Sequence, residues 1–80
     1  MHELGVLRQI VKIVNRVTEQ NRIQQVKHIA LEVGEASGFV PDYLTKLFLV
    51  AADPYPTLQK TELRICVVAG NGLLIKEIGY

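Results

Sequence analysis

The residues with the clearest capacity for chemistry stand at the start of the chain, in the run Met1-His2-Glu3. An α-amino group has a pKa of about 8, well below that of a lysine, so near neutral pH it gives up its proton to a metal ion readily. The amine of Met1, the amide of His2 and the imidazole of His2 can close fused chelate rings around one cation. Glu3 can add its amide nitrogen or, less favourably, its carboxylate. The pattern therefore predicts a metal site whose ligands come from Met1, His2 and Glu3.

The predicted ligand set indicates which metals it would bind. Nitrogen-rich, planar coordination suits Ni(II) and Cu(II), and the Irving–Williams order makes copper the tighter binder. Selectivity for nickel would then have to come from metal supply and from partners. Because deprotonating an amide is costly, we expect a modest affinity that rises with pH. The plainer interpretation, that two polar residues simply open a helix, also fits the sequence chemistry.

Several other residues carry reactive or metal-binding groups without forming a predicted active site: His28, Glu32, Glu35, Ser37 and Cys66. His28 falls on the polar side of a predicted strand, where no second donor is spaced to join it. The two glutamates flank a strand end and a turn with no nucleophile beside them. Ser37 follows in the turn, where its hydroxyl would bond the local backbone. The single cysteine, predicted to be half-buried in a strand, excludes an internal disulfide and a multi-cysteine metal cage. We therefore predict no enzyme.

The composition is that of one small globular domain. The chain has 80 residues, 49% of them apolar and 21% charged, with a formal net charge of +1. This balance is too apolar and too weakly charged for a disordered tail, and it lacks the basic surplus of a nucleic-acid-binding domain. The longest apolar runs, such as residues 47–52, fall far short of the roughly 20 residues that span a bilayer. Because the start of the chain has no secretory-signal pattern, we predict a cytoplasmic protein.

Hydropathy patterning predicts two helices with a strand between them. Over residues 4–19 the apolar positions recur at helical spacing and form a broad stripe. Residues 26–33 then alternate with period two, which is typical of a strand. A second helix begins near Pro41 and must end at the segment 53–56, because proline supplies no amide donor and clashes with the preceding turn.

The remainder of the sequence predicts a β-hairpin. Two β-rich runs, residues 62–69 and 73–78, lie on either side of Asn71-Gly72, the pair best suited to a type I′ turn. This register would direct one apolar set toward the helices: Leu63, Ile65, Val67, Leu74 and Ile78. The opposite face would carry a half-polar set: Arg64, Cys66, Val68, Leu73, Ile75 and Glu77.

Together these elements predict an α/β (α+β) fold in the order α-β-α-β-β. The strand–helix–strand unit should cross over right-handed and give a three-stranded mixed sheet with two helices on one face. The pattern leaves open which strand is central. A small sheet with an open edge favours pairing with another chain, so a homodimer, including one formed by domain swapping, is a further expectation.

Three stretches of the chain carry a resemblance to one family: Met1-His2-Glu3-Leu4, Leu31-Glu32-Val33-Gly34-Glu35-Ala36-Ser37-Gly38 and Leu74-Ile75-Lys76-Glu77-Ile78. Over essentially its whole length the sequence resembles the HypA/HybF family of nickel metallochaperones in hydrogenase maturation. The resemblance implies a single nickel-binding domain over residues 1–80, with Ni(II) as transient cargo held by Met1, His2 and Glu3. It also implies two partners, the family's accessory GTPase and a nickel-enzyme precursor, for which both a hydrogenase and a urease fit.

One departure from the family is large. The family carries a zinc-binding module with two Cys-x-x-Cys pairs between its last two strands, where this chain has Ala69-Gly70-Asn71-Gly72. Four-coordinate structural zinc needs four donors, and Cys66 is the one thiol of the chain, so we expect no structural zinc. Natural loss of the module and its removal by engineering would both leave a tight turn near residues 69–72.

An alternative function of a different class also fits the sequence. The chain would then be a metal-independent interaction or assembly module. It would dimerise through an edge strand or through the open sheet face, using Val68, Leu73, Ile75 and Cys66. Under either hypothesis we expect neither nucleic acid nor membrane as a partner.

Overall fold

Two helices and three strands make up the fold, which was obtained as a computed structural model that describes residues 3–80. In chain order the elements are α1 (Glu3–Asn21), β1 (His28–Gly34), α2 (Pro41–Ala52), a short 3-10 turn (Pro56–Leu58), β2 (Glu62–Val68) and β3 (Leu73–Gly79). The predicted order α-β-α-β-β is confirmed. Within this described part of the chain, no helix is both long enough and apolar enough to cross a membrane.

The sheet is mixed and three-stranded, as predicted, and β1 is its central strand. The strand order is β2-β1-β3, with β1 parallel to β2 and antiparallel to β3. The predicted hairpin is therefore wrong, because β2 and β3 lie on opposite sides of β1 and do not pair with each other. A physical reason lies in β1, whose side chains at Ile29, Leu31 and Val33 are all buried. A strand whose inward-facing side chains are all buried gains most from the central position, where both of its edges are paired.

The connection between β2 and β3, residues 69–72, crosses the end of β1 instead of forming a two-residue turn. The backbone N–H of Gly34 donates to the carbonyl of Gly72 (2.7 Å), and the N–H of Ala36 donates to that of Gly70 (2.8 Å). A type I′ turn needs positive φ at both central residues, but between residues 3 and 80 positive φ occurs at Arg22, Gly38 and Gly70. A Cβ at Gly34 would collide with the carbonyl of Gly70, so this crossing requires glycine in β1.

Pairing with β1, and not the connection, sets which side chains of β3 face the helices. Val33 pairs with Leu73 and Leu31 with Ile75, so both β3 residues lie on the core side, whereas Leu74 is 53% exposed. The sequence-based prediction for these three residues of β3 is therefore wrong, since a shift of one residue in register reverses the faces of a strand. Ile78 does face the core as predicted, because a bulge near Ala30 and Leu31 restores the phase of the strand.

Both helices pack on the same face of the sheet, as predicted. The shared core contains α1 residues Leu7, Val11 and Val14, α2 residues Leu44 and Phe48, and the β1 side chains Ile29, Leu31 and Val33. Each fully buried side chain of this size contributes about 1.5–3 kcal/mol to folding relative to an exposed one. The buried hydroxyl of Thr18 donates to the carbonyl of Asn15 (2.7 Å), so its burial leaves no unmet polar group. Neither α1 nor α2 covers the opposite face of the sheet.

Candidate metal centre

The predicted metal ligands are the first three residues of the chain. Met1 and His2 fall outside the described residues, and Glu3 is the first residue of the helix. The structure therefore places one of the three predicted ligands. The amide of a helix's first residue does not take part in the helical hydrogen-bond ladder, so the Glu3 amide nitrogen points away from the helix toward the preceding residues.

The carboxylate of Glu3 contacts the beginning of the second helix. Its Oε2 accepts a hydrogen bond from the backbone N–H of Val40 (3.2 Å). Val40 is the N-cap residue of α2, with extended φ and ψ of −99° and 115° and no side-chain cap. A carboxylate at a helix N-terminus is favoured by the positive end of the helix dipole. The contact therefore links the start of α1 to the start of α2. It uses the Glu3 carboxylate, which is predicted to be a less favourable metal ligand than the Glu3 amide nitrogen.

The turn after β1 brings Val40 to this position. The N–H of Ser37 donates to the carbonyl of Gly34 (3.0 Å), and the Ser37 hydroxyl accepts a hydrogen bond from the N–H of Phe39 (3.2 Å). Gly38 has a φ of +83°, which glycine adopts without strain. The predicted local bond of Ser37 is thus confirmed. The glycine-rich segment that supported the family resemblance is also the segment that positions α2 beside Glu3.

His28 has a partner that sequence reasoning missed. It lies on the outer face of the sheet, where its Nε2 is 2.5 Å from a carboxylate oxygen of Glu77. Only 16% of the His28 side chain is exposed, because the ring lies over Gly79, where any Cβ would collide with it. The hydrogen bond from His28, helped by its nearby charge, lowers the pKa of the Glu77 carboxyl from its ordinary value. The pair of His28 and Glu77 could not be predicted from the hairpin, because the hairpin did not place β3 beside β1.

The remaining reactive residues do not assemble into a site. Cys66 is exposed on the outer face, not half-buried, because neither α1 nor α2 covers this side of the sheet. Glu32 is in register with Cys66, and Glu35 is exposed in the turn. Among residues 3–80 there is no group of three or more histidine, cysteine, aspartate or glutamate side chains placed to hold a metal ion. The described side chains therefore offer no rival to the N-terminal site.

Comparison with known proteins first identifies a class of protein, the family of metallochaperones of nickel incorporation. The family model described as hydrogenase/urease nickel incorporation, metallochaperone, HypA matches residues 1–78, so the chain belongs to the HypA family. It is 35% identical over 72 residues to the hydrogenase maturation factor HypA of Crocosphaera subtropica (strain ATCC 51142 / BH68). That match covers 90% of this chain and 60% of the relative, so the chain spans about 60% of the relative's length.

Solved structures share the same fold. The solution structure of the Ni metallochaperone HypA from Helicobacter pylori superposes with a TM-score of 0.87 at 12% identity, covering 99% of this chain and 97% of that one. A second solution structure, titled HypA protein, gives a TM-score of 0.74 at 13% identity and covers 96% of this chain and 71% of that one. At such low identity the agreement concerns the fold. The family assignment rests on the sequence match.

Proposed function

We propose that this chain is a nickel-carrying domain that binds one Ni(II) at its N-terminus and delivers it for hydrogenase maturation. The ligands are the Met1 amine, the amide and imidazole nitrogens of His2, and the Glu3 amide nitrogen. The observation that supports the proposal is the position of Glu3, which is the last residue of the run predicted to bind the metal and the first residue of α1, in a chain of the HypA family. Because the Glu3 carboxylate contacts the Val40 N–H, its backbone nitrogen is the better donor.

The charge balance at the helix start supports this ligand set. Two deprotonated amides carry two negative charges, so they neutralise the two positive charges of Ni(II). A helix N-terminus favours negative charge, and the resulting neutral complex avoids the repulsion that a bare cation would meet there. Amide deprotonation also makes the affinity pH-dependent and modest, which suits a carrier.

Delivery proceeds by ligand exchange with an acceptor. In our proposal the acceptor is a nickel-enzyme precursor, assisted by the family's GTPase, and the chelate at the end of the chain can be dismantled one ligand at a time. Zinc has no role here, because residues 69–72 contain neither cysteine nor histidine. The proposed function includes no catalysed reaction, which agrees with the description of the family as metallochaperones.

The alternative function is a metal-independent module that dimerises through the open sheet face or an edge strand. For the sheet face the sequence named Val68, Leu73, Ile75 and Cys66, and two of these, Leu73 and Ile75, face the core across from Val33 and Leu31. The register leaves Cys66 and Val68 for that surface, so it weakens the sheet-face form of this alternative and leaves the edge-strand form unchanged.

A nickel titration of protein with an unmodified N-terminus tests the proposal. We expect one equivalent to bind, with d–d absorption bands of planar nickel. His2→Ala and a short N-terminal extension should each abolish binding while leaving the circular dichroism spectrum unchanged. His28→Ala is the matched control, since it removes an imidazole from the far end of β1, and it should bind nickel normally. Unchanged binding by His2→Ala, or lost binding by His28→Ala, would contradict the ligand assignment.

A further inference from the structure

A small cleft lies between α1 and the end of α2, away from the outer sheet face. It has a volume of about 160 Å³, and its walls include Arg8, Val11 and Lys12 from α1 and Val50, Pro54 and Tyr55 from α2 and the segment after it. We call it the α1–α2 cleft. Small-molecule sites usually have volumes of about 300–1,000 Å³, so this cleft has room for one large apolar side chain and not for a typical ligand.

A line of positive charge borders the cleft. Arg8, Lys12 and Arg16 follow one another at four-residue spacing, which places them along one ridge of α1, and all three are exposed. The ion pairs found among residues 3–80 are His28–Glu77 and Arg64–Glu62, so none of the three ridge cations is neutralised by a described carboxylate. Like charges at this spacing repel each other. A domain with a net charge of only +1 thus concentrates uncompensated positive charge on one ridge.

Apolar surface adjoins this ridge. Val50 in the cleft wall is 53% exposed, and its neighbour Leu49 is 70% exposed. Protein interfaces commonly combine a buried apolar anchor with a polar rim, and complementary charges fix the orientation of the partner. Arg8 and Lys12 both line the cleft, so the charge and the apolar recess belong to one surface.

We infer that the α1–α2 cleft is a docking surface for an acidic protein segment. One large apolar side chain of that segment would enter the recess between Val50 and Tyr55, and carboxylates beside it would pair with Arg8 and Lys12. Nucleic acid is the less favoured occupant, because the centre of the surface is apolar and the chain is nearly neutral overall.

The cleft lies farther along the same two helices than Glu3, the described residue of the proposed metal site. The two helices run alongside each other with their beginnings together, since Glu3 contacts Val40 while Lys12 and Val50 line the same cleft. Arg8 follows Glu3 by five residues, a rise of about 7.5 Å along a helix. The part of a partner that contacts Arg8 and Lys12 would therefore lie about 7.5–13.5 Å along α1 from Glu3. The docking surface does not depend on the proposed function, because none of its residues is a proposed nickel ligand.

The test uses two synthetic peptides and the full chain labelled with ¹⁵N. One peptide carries a single leucine flanked by glutamates, and its match carries glutamine at each glutamate position. We expect the acidic peptide to shift amide resonances of residues 8–16 and 49–55, and to bind at least about tenfold more tightly than the glutamine peptide. Raising the salt concentration should weaken the acidic peptide's binding.

Charge-reversal variants locate the binding. Arg8→Glu with Lys12→Glu should weaken binding of the acidic peptide at least about tenfold, whereas Lys27→Glu with Lys76→Glu, the same charge change elsewhere, should not. If the first pair perturbs folding, Arg8→Gln with Lys12→Gln replaces it and should weaken binding in the same direction. Equal binding of both peptides, shifts confined to other surfaces, or no shifts at all would overturn the inference. So would a short DNA duplex that shifts the ridge resonances more strongly than the acidic peptide.

Discussion

The carboxylate of Glu3 and the backbone amide of Val40, 37 residues apart in sequence, are joined by a hydrogen bond of 3.2 Å. This contact links the first residue of α1 to the N-cap of α2, which has no side-chain cap of its own. Glu3 therefore has two separate roles in this account. Its carboxylate holds the two helices together, and its backbone nitrogen is one of the proposed nickel ligands.

Glu3→Ala separates these two parts. Loss of the hydrogen bond should lower the free energy of unfolding by about 0.5–1.5 kcal/mol, measured by urea denaturation. The planar nickel absorption should persist, because the amide nitrogen remains. Glu3→Gln keeps a side-chain carbonyl acceptor and serves as the control, with a smaller loss of stability. If Glu3→Ala abolished the nickel bands while remaining folded, the carboxylate would have to be a ligand.

The close approach of Gly34 and Gly70 makes a second prediction. Gly34→Ala should destabilise the fold by about 1–3 kcal/mol, because its Cβ would press against the Gly70 carbonyl. Gly72→Ala meets no atom within 4 Å and has no positive φ, so its stability should change by less than about 0.5 kcal/mol.

Gly5 offers a contrast in the same measurement. It lies in α1, and a Cβ there would meet nothing within 4 Å. Gly5→Ala should therefore stabilise the protein by roughly 0.4–1 kcal/mol, through a higher helix propensity and a less flexible unfolded chain. Urea midpoints of these glycine variants check the crossing of residues 69–72 over β1. A harmless Gly34→Ala would contradict that crossing.

The register of β3 can be tested with two neighbouring residues. Ile75 packs against the core, whereas Leu74 is 53% exposed on the other side of the sheet. Ile75→Ala should lower the free energy of unfolding by about 1–2 kcal/mol, less than for a fully buried isoleucine. Leu74→Ala should change it by less than about 0.5 kcal/mol. The reverse order of effects would support the hairpin register that the sequence suggested.

The pair formed by His28 and Glu77 should make stability depend on pH in the acid range. The pKa of the Glu77 carboxyl is lowered in the folded state, so the unfolded chain binds this proton first as the pH falls. The contribution is complete above the ordinary carboxyl pKa of 4.5 and is lost as the pH drops through the lowered value. Glu77→Gln should therefore lose less stability than the parent between pH 6 and pH 3. An equal loss in both proteins would argue against the pair, and Glu35→Gln provides the control at an exposed glutamate.

Local sequence patterns predicted most of the helices and strands correctly. They gave the wrong pairing for β2 and β3. The helical spacing of apolar residues located α1, and the alternation around Ile29 and Leu31 located β1. The Asn71-Gly72 signal was misleading, because a favourable short turn contributes less than pairing both β2 and β3 with β1, the most deeply buried strand. Every error in the faces of β3 follows from that one misassignment.

Only those parts of the candidate site could be predicted that follow from the types of neighbouring residues in the sequence. The run Met1-His2-Glu3 indicates a metal chelate from its residue types alone, and the chelate stays a prediction, because Met1 and His2 lie outside the described residues. The link from Glu3 to Val40 could not be foreseen, because its donor is a backbone amide, which every residue but proline possesses. The pair of His28 and Glu77 depends on β3 lying beside β1, so it too was hidden until the strand order was known.

X-ray absorption at the nickel K edge tests the central claim most directly. Nickel-loaded protein with an unmodified Met1 should show the pre-edge feature of planar coordination and a first shell of nitrogen donors. Acetylation of the Met1 amine should remove both. A six-coordinate, oxygen-rich spectrum, or a planar spectrum that survives acetylation, would contradict a chelate built from Met1, His2 and Glu3.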